Sequence, residues 1–214
     1  QLPGALLGAG IAVGVTVGVG KSGAIQRMVL VGVAVSALCS ALTSIFLVVD
    51  EAQLATVMSW LSGRLAGVRL SGIMPALIAV LVVVPLTLVG AKTLDLLVAG
   101  DTVAGAVGAK PERIRLAAIV AAVVLIAPAV AATGPIGFLG LMAAAVAWRV
   151  CGSHHRMGLC VAGIVGAAVL LVADSVGQAI WAPAETPVGI VTSLAGMPLV
   201  LWAVHALGRR KHAA

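Results

Sequence analysis

The sequence has very few charged and aromatic residues. Of its 214 residues, 9% are charged, 3% are aromatic and none is tyrosine. A soluble domain carries about a quarter charged residues. Hydrophobic residues make up 62% of the chain, which is more apolar surface than a soluble fold of this length could hide. The composition therefore excludes a soluble fold and makes lipid the expected solvent.

The chain also lacks a cysteine framework. Its three cysteines are Cys39, Cys151 and Cys160, an odd number without the spacing of a disulfide scaffold. Two histidines, at positions 154 and 155, lie near the last two cysteines, which raises the alternative of a metal site. Adjacent histidine side chains diverge on a helix and no carboxylate lies close in sequence, so a solvated turn is favoured. We predict no metal and no cofactor.

Long apolar tracts dominate what is present. A membrane-spanning helix needs roughly 20 apolar residues. Seven tracts approach that length, and they cover residues 2–20, 28–49, 70–90, 116–133, 136–148, 157–176 and 188–207. The fifth is short and reads as a partial span. We expect an all-α polytopic bundle of about seven membrane segments in one domain, 1–214, that is incomplete at its N-terminus because it begins with Gln1.

The basic residues lie in the short gaps between these tracts. If the gap at 21–27 is cytoplasmic, alternation of the tracts places all but Arg64 and Arg69 of the 13 Lys and Arg residues on that same side. The positive-inside rule then puts the C-terminus in the cytoplasm. The net charge of +6 therefore reflects membrane topology, and we predict no nucleic-acid partner.

Two gaps are long enough to hold short helices. Residues 51–61, outside, have an amphipathic pattern typical of a helix that lies on the membrane. Inside, residues 100–108 predict a short helix, with Asp101 able to cap or charge-match its start and Gly108 able to end it. A short helix in a cytoplasmic loop offers a docking surface for a soluble partner.

Two motifs point to other activities. Residues 18–22, Gly-Val-Gly-Lys-Ser, look like the end of a phosphate-binding loop, but the required first glycine is Val15. We therefore do not expect this chain to hydrolyse ATP or to be an enzyme. Asp174 is the one acid well inside an apolar tract, and such acids often serve proton or ion relays. Because of Asp174, the alternative that the chain is an ion-coupled secondary transporter stays open.

Four stretches resemble one known family. They are residues 31–44 with 60–63, residues 100–108 with 113–116, the Gly-Pro-Ile-Gly-Phe-Leu-Gly-Leu run at 134–141, and the run at 183–192 with Gly196 and Pro198. In this order they are similar to the FecCD-type permeases, which are membrane subunits of bacterial ABC importers for siderophores, haem and cobalamin. The likeness covers nearly the whole chain, which corresponds to the last seven of about ten spans.

This resemblance implies partners and site residues. A separate ABC ATPase subunit would dock on the short cytoplasmic helix and transmit its motion through Gly100, Asp101, Thr102, Ala104, Gly108 and Arg113. The pathway and its inner gate would be lined by Ser22, Gln26, Ser36, Ser40 and Thr43. The outer mouth would hold Glu185, Pro187 and Gly189. A substrate-binding protein outside and a second permease subunit would complete the assembly, in the bacterial cytoplasmic membrane, for cargo of the iron-siderophore type.

The sequence also departs from the family pattern. Ala144 and Ala145 replace a usual Pro-His pair, Gly105 replaces a basic residue of the short helix, and Gln178 replaces an outer arginine. These changes keep open a second alternative, a degenerate or truncated permease that acts as a non-transporting membrane scaffold.

Overall fold

The described residues of the computed structural model are 4, 8–12, 14, 18, 25–49, 54–98, 100–181 and 187–198. They form helices and connecting turns, and this part of the chain contains no β-strand. We number the helices in chain order: α1 Ile25–Val49, α2 Leu54–Leu61, α3 Leu70–Val98, α4 Asp101–Ala106, α5 Pro111–Thr133, α6 Leu139–Cys151, α7 His155–Trp181 and α8 Val188–Pro198.

Four of these helices are long and apolar enough to cross a membrane. The candidate spans are Leu30–Val49, Leu70–Val98, Pro111–Thr133 and His155–Ile180. Their outer surfaces carry large apolar side chains, such as Leu70 at 83% exposure and Val89 at 82%. Such a surface is stable against lipid and unstable against water. The structure thus fits a membrane helical bundle.

The helices pack as two pairs that meet through α3. The most extensive contacts are those of α6 with α7 and of α3 with α5, and a smaller contact joins α3 to α7. Small residues allow this approach: a Cβ on Gly166 of α7 would lie 3.6 Å from the Cβ of Ala143 on α6. Helix α1 contacts α2, but no residue of its most apolar window is buried within the protein.

Backbone contacts define two ends of the bundle. At one end, which we call the α2 end, the amide of Arg64 donates to the carbonyl of Thr133 at 2.8 Å. At the other, the α4 end, Asp95 of α3 contacts His155 at the start of α7. The α4 end carries Lys92, Lys110, Arg113, Arg115, Arg149 and Arg156, whereas Arg64 and Arg69 lie at the α2 end.

Most sequence-based boundaries agree with these helices within a few residues. The amphipathic helix expected at 51–61 is confirmed over Leu54–Leu61. Helix α3 is longer than expected, because residues 91–98 continue it beyond the apolar tract at 70–90. Helix α6 has only 13 residues, or roughly 20 Å, too short for a full span. Most of the first tract and the end of the last lie outside the described residues.

Candidate functional site

A short helix forms at the α4 end where the sequence predicts one. Helix α4 begins after Gly100, whose φ of 103° favours glycine, and Asp101 is its first residue. The N-cap is therefore Gly100 itself, with no side-chain cap. The helix ends in a Schellman motif: the amide of Gly108 donates to Gly105 and that of Ala109 donates to Ala104, each at 3.0 Å. Gly108, with φ 81°, is the left-handed residue the motif requires.

Helix α4 buries one side chain and exposes an apolar face. Ala104 is fully buried, and α4 contacts both α3 and α5. Val103 and Val107 are 48% and 68% exposed, and a spacing of four residues places them on the same side. Thr102 and, on the first turn of α5, Arg113 are also exposed. The α4 end therefore presents a small apolar surface beside cationic groups.

Asp95 and His155 join two helices at this end. One carboxylate oxygen, Oδ1 of Asp95, lies 2.6 Å from Nδ1 of His155 and accepts the backbone N–H of the same residue at 2.9 Å. An ionised carboxylate only accepts, so Nδ1 is the donor in this contact. The two side chains are about one-third exposed, at 35% and 28% respectively. His155 was expected in a solvated turn, and it instead begins α7 and pairs with an acid.

Three hydroxyl residues predicted to line a pathway share one stripe of α1. Ser36, Ser40 and Thr43 are spaced by four and three residues, which places them along one side of the helix. Ser36 and Ser40 are exposed, and the Thr43 hydroxyl donates to the carbonyl of Cys39 at 2.8 Å. The stripe is thus polar and open within a helix whose other residues are mostly apolar.

Three glycines meet at the α2 end. A Cβ on Gly189 of α8 would lie 2.5 Å from the carbonyl oxygen of Ser62, and one on Gly63 would lie 2.7 Å from that of Pro135. A Cβ on Gly134 would fall on the carbonyl of Trp60. Gly63 and Gly134 also have φ values of 70° and 77°. Only glycine satisfies both the backbone angle and the close approach at these two positions.

Helix α8 packs along the turn before α6. A Cβ on Gly196 would lie 2.6 Å from that of Phe138. Phe138 itself has φ 60°, a conformation that a bulky residue adopts only at a cost in backbone energy. On α8, the hydroxyls of Thr192, which is 1% exposed, and Ser193 donate to the carbonyl of Gly189 at 3.1 and 2.7 Å. The turn is therefore held by packing between elements about 50 residues apart.

An open cleft of about 860 Å³ lies where α8 packs against the turn at 134–138. Its walls are mostly apolar and include Leu61, Pro135, Phe138, Ile190, Leu194 and Met197. A second opening of about 450 Å³ is bordered by Trp60, Arg64 and Thr133, and Arg64 donates there to the Ser59 hydroxyl at 2.7 Å. The α2 end thus holds concave, largely apolar space between α2, α8 and the turn at 134–138.

The predicted site residues fall into three separate places. Gly100, Asp101, Thr102, Ala104, Gly108 and Arg113 lie together at the α4 end. Pro187 and Gly189 lie at the α2 end, and the hydroxyl stripe lies on α1. Gln26 belongs to α1, while Ser22 and Glu185 lie outside the described residues.

Sequence reasoning missed the Asp95–His155 contact. One signal was available, because α7 has no acid in its own first turn to match its helix dipole. Nothing in the sequence, however, indicated that Asp95, 60 residues earlier, would supply one.

The sequence matches one transport family. Residues 1–206 match the model of the FecCD transport family. The chain is 36% identical over 183 residues to the hemin transport system permease protein HmuU of Yersinia pestis, covering 85% of this chain and 55% of that protein. It is 34% identical over 177 residues to the Fe(3+) dicitrate permease FecD of Escherichia coli, covering 83% and 56%. The chain spans about half the length of the curated relatives it matches.

The fold agrees with a solved relative as well. A metal-chelate type ABC transporter in an inward-facing conformation superimposes with a TM-score of 0.83 at 29% identity, covering 92% of this chain and 64% of that one. The similarity therefore extends over sequence, helix order and tertiary arrangement. The chain belongs to the FecCD transport family.

Proposed function

We propose that this chain is the membrane-spanning part of an ABC importer permease in the bacterial cytoplasmic membrane, moving iron-chelate cargo with energy from a separate ATPase subunit. The observation that carries the proposal is α4, a six-residue helix between two spans at the basic end of the bundle, where Val103 and Val107, the residue that follows the helix, are exposed. The positive-inside rule places this end in the cytoplasm, where an ATPase acts, and places the C-terminus there too.

The geometry of α4 suits a helix that transmits movement from a partner to the bundle. Its start is a glycine and its end a Schellman turn, so both junctions are defined by backbone geometry. Buried Ala104 seats it against the bundle, leaving Val103, Val107 and Thr102 for the partner. Movement of an ATPase subunit against this face would pass directly into α3 and α5, which flank α4 in the chain.

The pathway is proposed to run along the hydroxyl stripe of α1. Within the described residues α1 contacts α2 and no residue of its most apolar window is buried, so it has room for a neighbour. A second permease subunit, identical or paralogous, facing α1 would enclose Ser36, Ser40 and Thr43 between the two. The apolar cleft at the α2 end, bordered by Gly189, then forms part of the outer mouth that receives cargo from a substrate-binding protein.

The cargo class follows from the relatives. Permeases for hemin, ferric dicitrate and iron(3+)-hydroxamate stand among the proteins this chain matches at 34–36% identity, and permeases for cobalamin do so as well. All of these cargoes are bulky metal chelates. Ferric siderophore is our first choice within this class.

The test is affinity capture of the tagged intact protein from its native membrane. We expect an ABC ATPase and a substrate-binding protein to copurify. Val107→Asp places a charge on the docking face and should lower ATPase recovery at least about tenfold, which corresponds to about 1.4 kcal/mol. Val150→Asp is the matched control, because Val150 lies at the same end with 70% exposure but on α6.

The outcomes separate the alternatives. Full ATPase recovery with Val107→Asp would refute α4 as the docking helix. A stable protein that captures neither partner would favour the non-transporting scaffold. Uptake of radiolabelled ferric siderophore, haem and cobalamin by vesicles holding the captured assembly then identifies the cargo, and uptake of haem or cobalamin alone would overturn our first choice.

A further inference from the structure

The bundle consists of two helix pairs whose mutual contact is small. Helices α3 and α5 form one pair and α6 and α7 form the other, and they meet through α3 and α7. Helix α4 is continuous in the chain with the first pair only, since it lies between α3 and α5. The chain joins α5 to α6 at the α2 end, so at the α4 end a displacement of α4 would reach α6 and α7 through the α3–α7 contact.

The Asp95–His155 contact lies at the α4 end of that interface. Asp95 is in the last turn of α3, three residues before Val98 and six before the start of α4. One of its two carboxylate oxygens, Oδ1, accepts hydrogen bonds from both the ring and the backbone of His155. Two donors on one residue hold α7 by its main chain as well as by its side chain. The geometry is thus more restrictive than that of a single ion pair between flexible side chains.

Helix α7 needs an acceptor at this position. The first N–H groups of a helix have no partner within it, and they favour a nearby negative charge. The first turn of α7 contains no acid and instead contains Arg156. His154 is exposed and its carbonyl accepts the amide of Gly158 at 2.9 Å, so His154 is the N-cap and His155 is the first residue of the helix. Asp95 therefore caps α7 from another helix.

We propose that the Asp95–His155 contact is a positioning link that makes α6 and α7 follow the movement of α4. The inference rests on the proposed function in one respect, namely that an ATPase moves α4. The Asp95–His155 contact itself belongs to the bundle and does not depend on a partner. Without it, the α3–α5 pair would still respond to α4, while the α6–α7 pair would move less, and cargo release would lose its coupling to ATP hydrolysis.

The first test measures the link in the intact protein without any partner. Spin labels at Lys110→Cys, beside α4, and Val150→Cys, on α6, report the distance between the two pairs by pulsed electron resonance. Both positions are exposed, and Cys39, Cys151 and Cys160 are replaced beforehand. We expect a narrow distance distribution with Asp95, a broader one with Asp95→Ala, and an intermediate one with Asp95→Asn, whose amide oxygen still accepts.

Further variants show whether the effect belongs to the contact. His155→Ala removes the ring but keeps the backbone donor, so it should broaden the distribution less than Asp95→Ala. The double variant should equal Asp95→Ala, because contacting residues act non-additively. Glu112→Ala is the control, since Glu112 is an exposed acid at the same end, in the first turn of α5. Equal distributions for wild type and Asp95→Ala would overturn the proposal, whatever partners are found.

The second test uses the assembled transporter in vesicles. With Asp95→Asn, which keeps the shape of the side chain, we expect the ATPase to stay bound and uptake per ATP hydrolysed to fall at least about threefold, on the scale of coupling between contacting residues. Uptake per ATP equal to wild type would overturn the link. Failure of the wild-type protein to bind an ATPase would instead count against the proposed function. The failure of the link and the failure of the proposed function are therefore distinguishable.

Discussion

Gly134 is the position where a single methyl group should disturb the bundle most. Its φ of 77° and ψ of 175° lie in a region that is essentially restricted to glycine, and an L-residue there costs roughly 1–3 kcal/mol. Its new Cβ would also collide with the carbonyl of Trp60, and overpacking of this kind costs roughly 1–3 kcal/mol. Because the colliding atom belongs to the backbone, relief requires movement of α2 or of the turn before α6. We therefore expect Gly134→Ala to lower the free energy of unfolding by about 2–6 kcal/mol.

Two other glycines separate these causes. Gly67 has φ 76° with no atom within 4 Å of a built Cβ, so Gly67→Ala carries only the cost of the backbone angle. Gly140 is helical and equally open, so Gly140→Ala should be neutral or stabilising by up to about 1 kcal/mol. The assay is reversible unfolding in mixed micelles of increasing SDS content, followed by tryptophan fluorescence. If Gly134→Ala and Gly67→Ala differ by less than about 0.5 kcal/mol, the collision inferred at Trp60 is not real.

Two further predictions concern single hydroxyl and carboxyl groups. Thr192→Val keeps the shape of a side chain that is 1% exposed but removes its donor to the Gly189 carbonyl, and it should destabilise by about 1 kcal/mol in the same unfolding assay; a neutral or stabilising result would mean that the hydroxyl contributes nothing at the start of α8. Asp174 accepts a hydrogen bond from Gln178, one turn away on α7, at 2.8 Å. Asp174→Asn should leave ATP-driven uptake within about twofold of wild type, whereas loss of most uptake would favour the ion-coupled alternative, because intramembrane acids are what ion relays use.

The sequence determined the membrane fold class, the approximate ends of the long helices and the existence of α4. Each of these depends on residues close together in the chain. Apolar tracts of about 20 residues fold as helices in lipid because only helices satisfy their own backbone there. Gly108 ends α4 because a Schellman turn needs a left-handed residue, and glycine adopts that conformation without strain. The family resemblance, confirmed by the match over residues 1–206, also came from local runs such as 134–141.

The end of α3 was not predicted correctly from hydropathy, because the helix continues beyond its apolar tract. The residues after the apolar tract of α3 are polar enough to mark a gap, yet they continue the helix to Val98. Hydropathy reports where lipid ends, whereas backbone hydrogen bonding decides where a helix ends, and the two differ when a helix extends beyond the membrane. This extension is what carries Asp95 to the start of α7.

Tertiary structure alone decided which distant residues meet. Asp95 and His155 are 60 residues apart, and neither carries a spacing signal that points to the other. Gly63, Gly134 and Gly189 come from three separate segments, and each read locally as one glycine among the 26 in a glycine-rich membrane protein. Periodicity indicates which element a residue belongs to, but the neighbours of that element depend on how complementary surfaces pack. The α4 site could therefore be predicted from the sequence. The Asp95–His155 contact and the close approach of the three glycines at the α2 end depend on how the assembled helices pack.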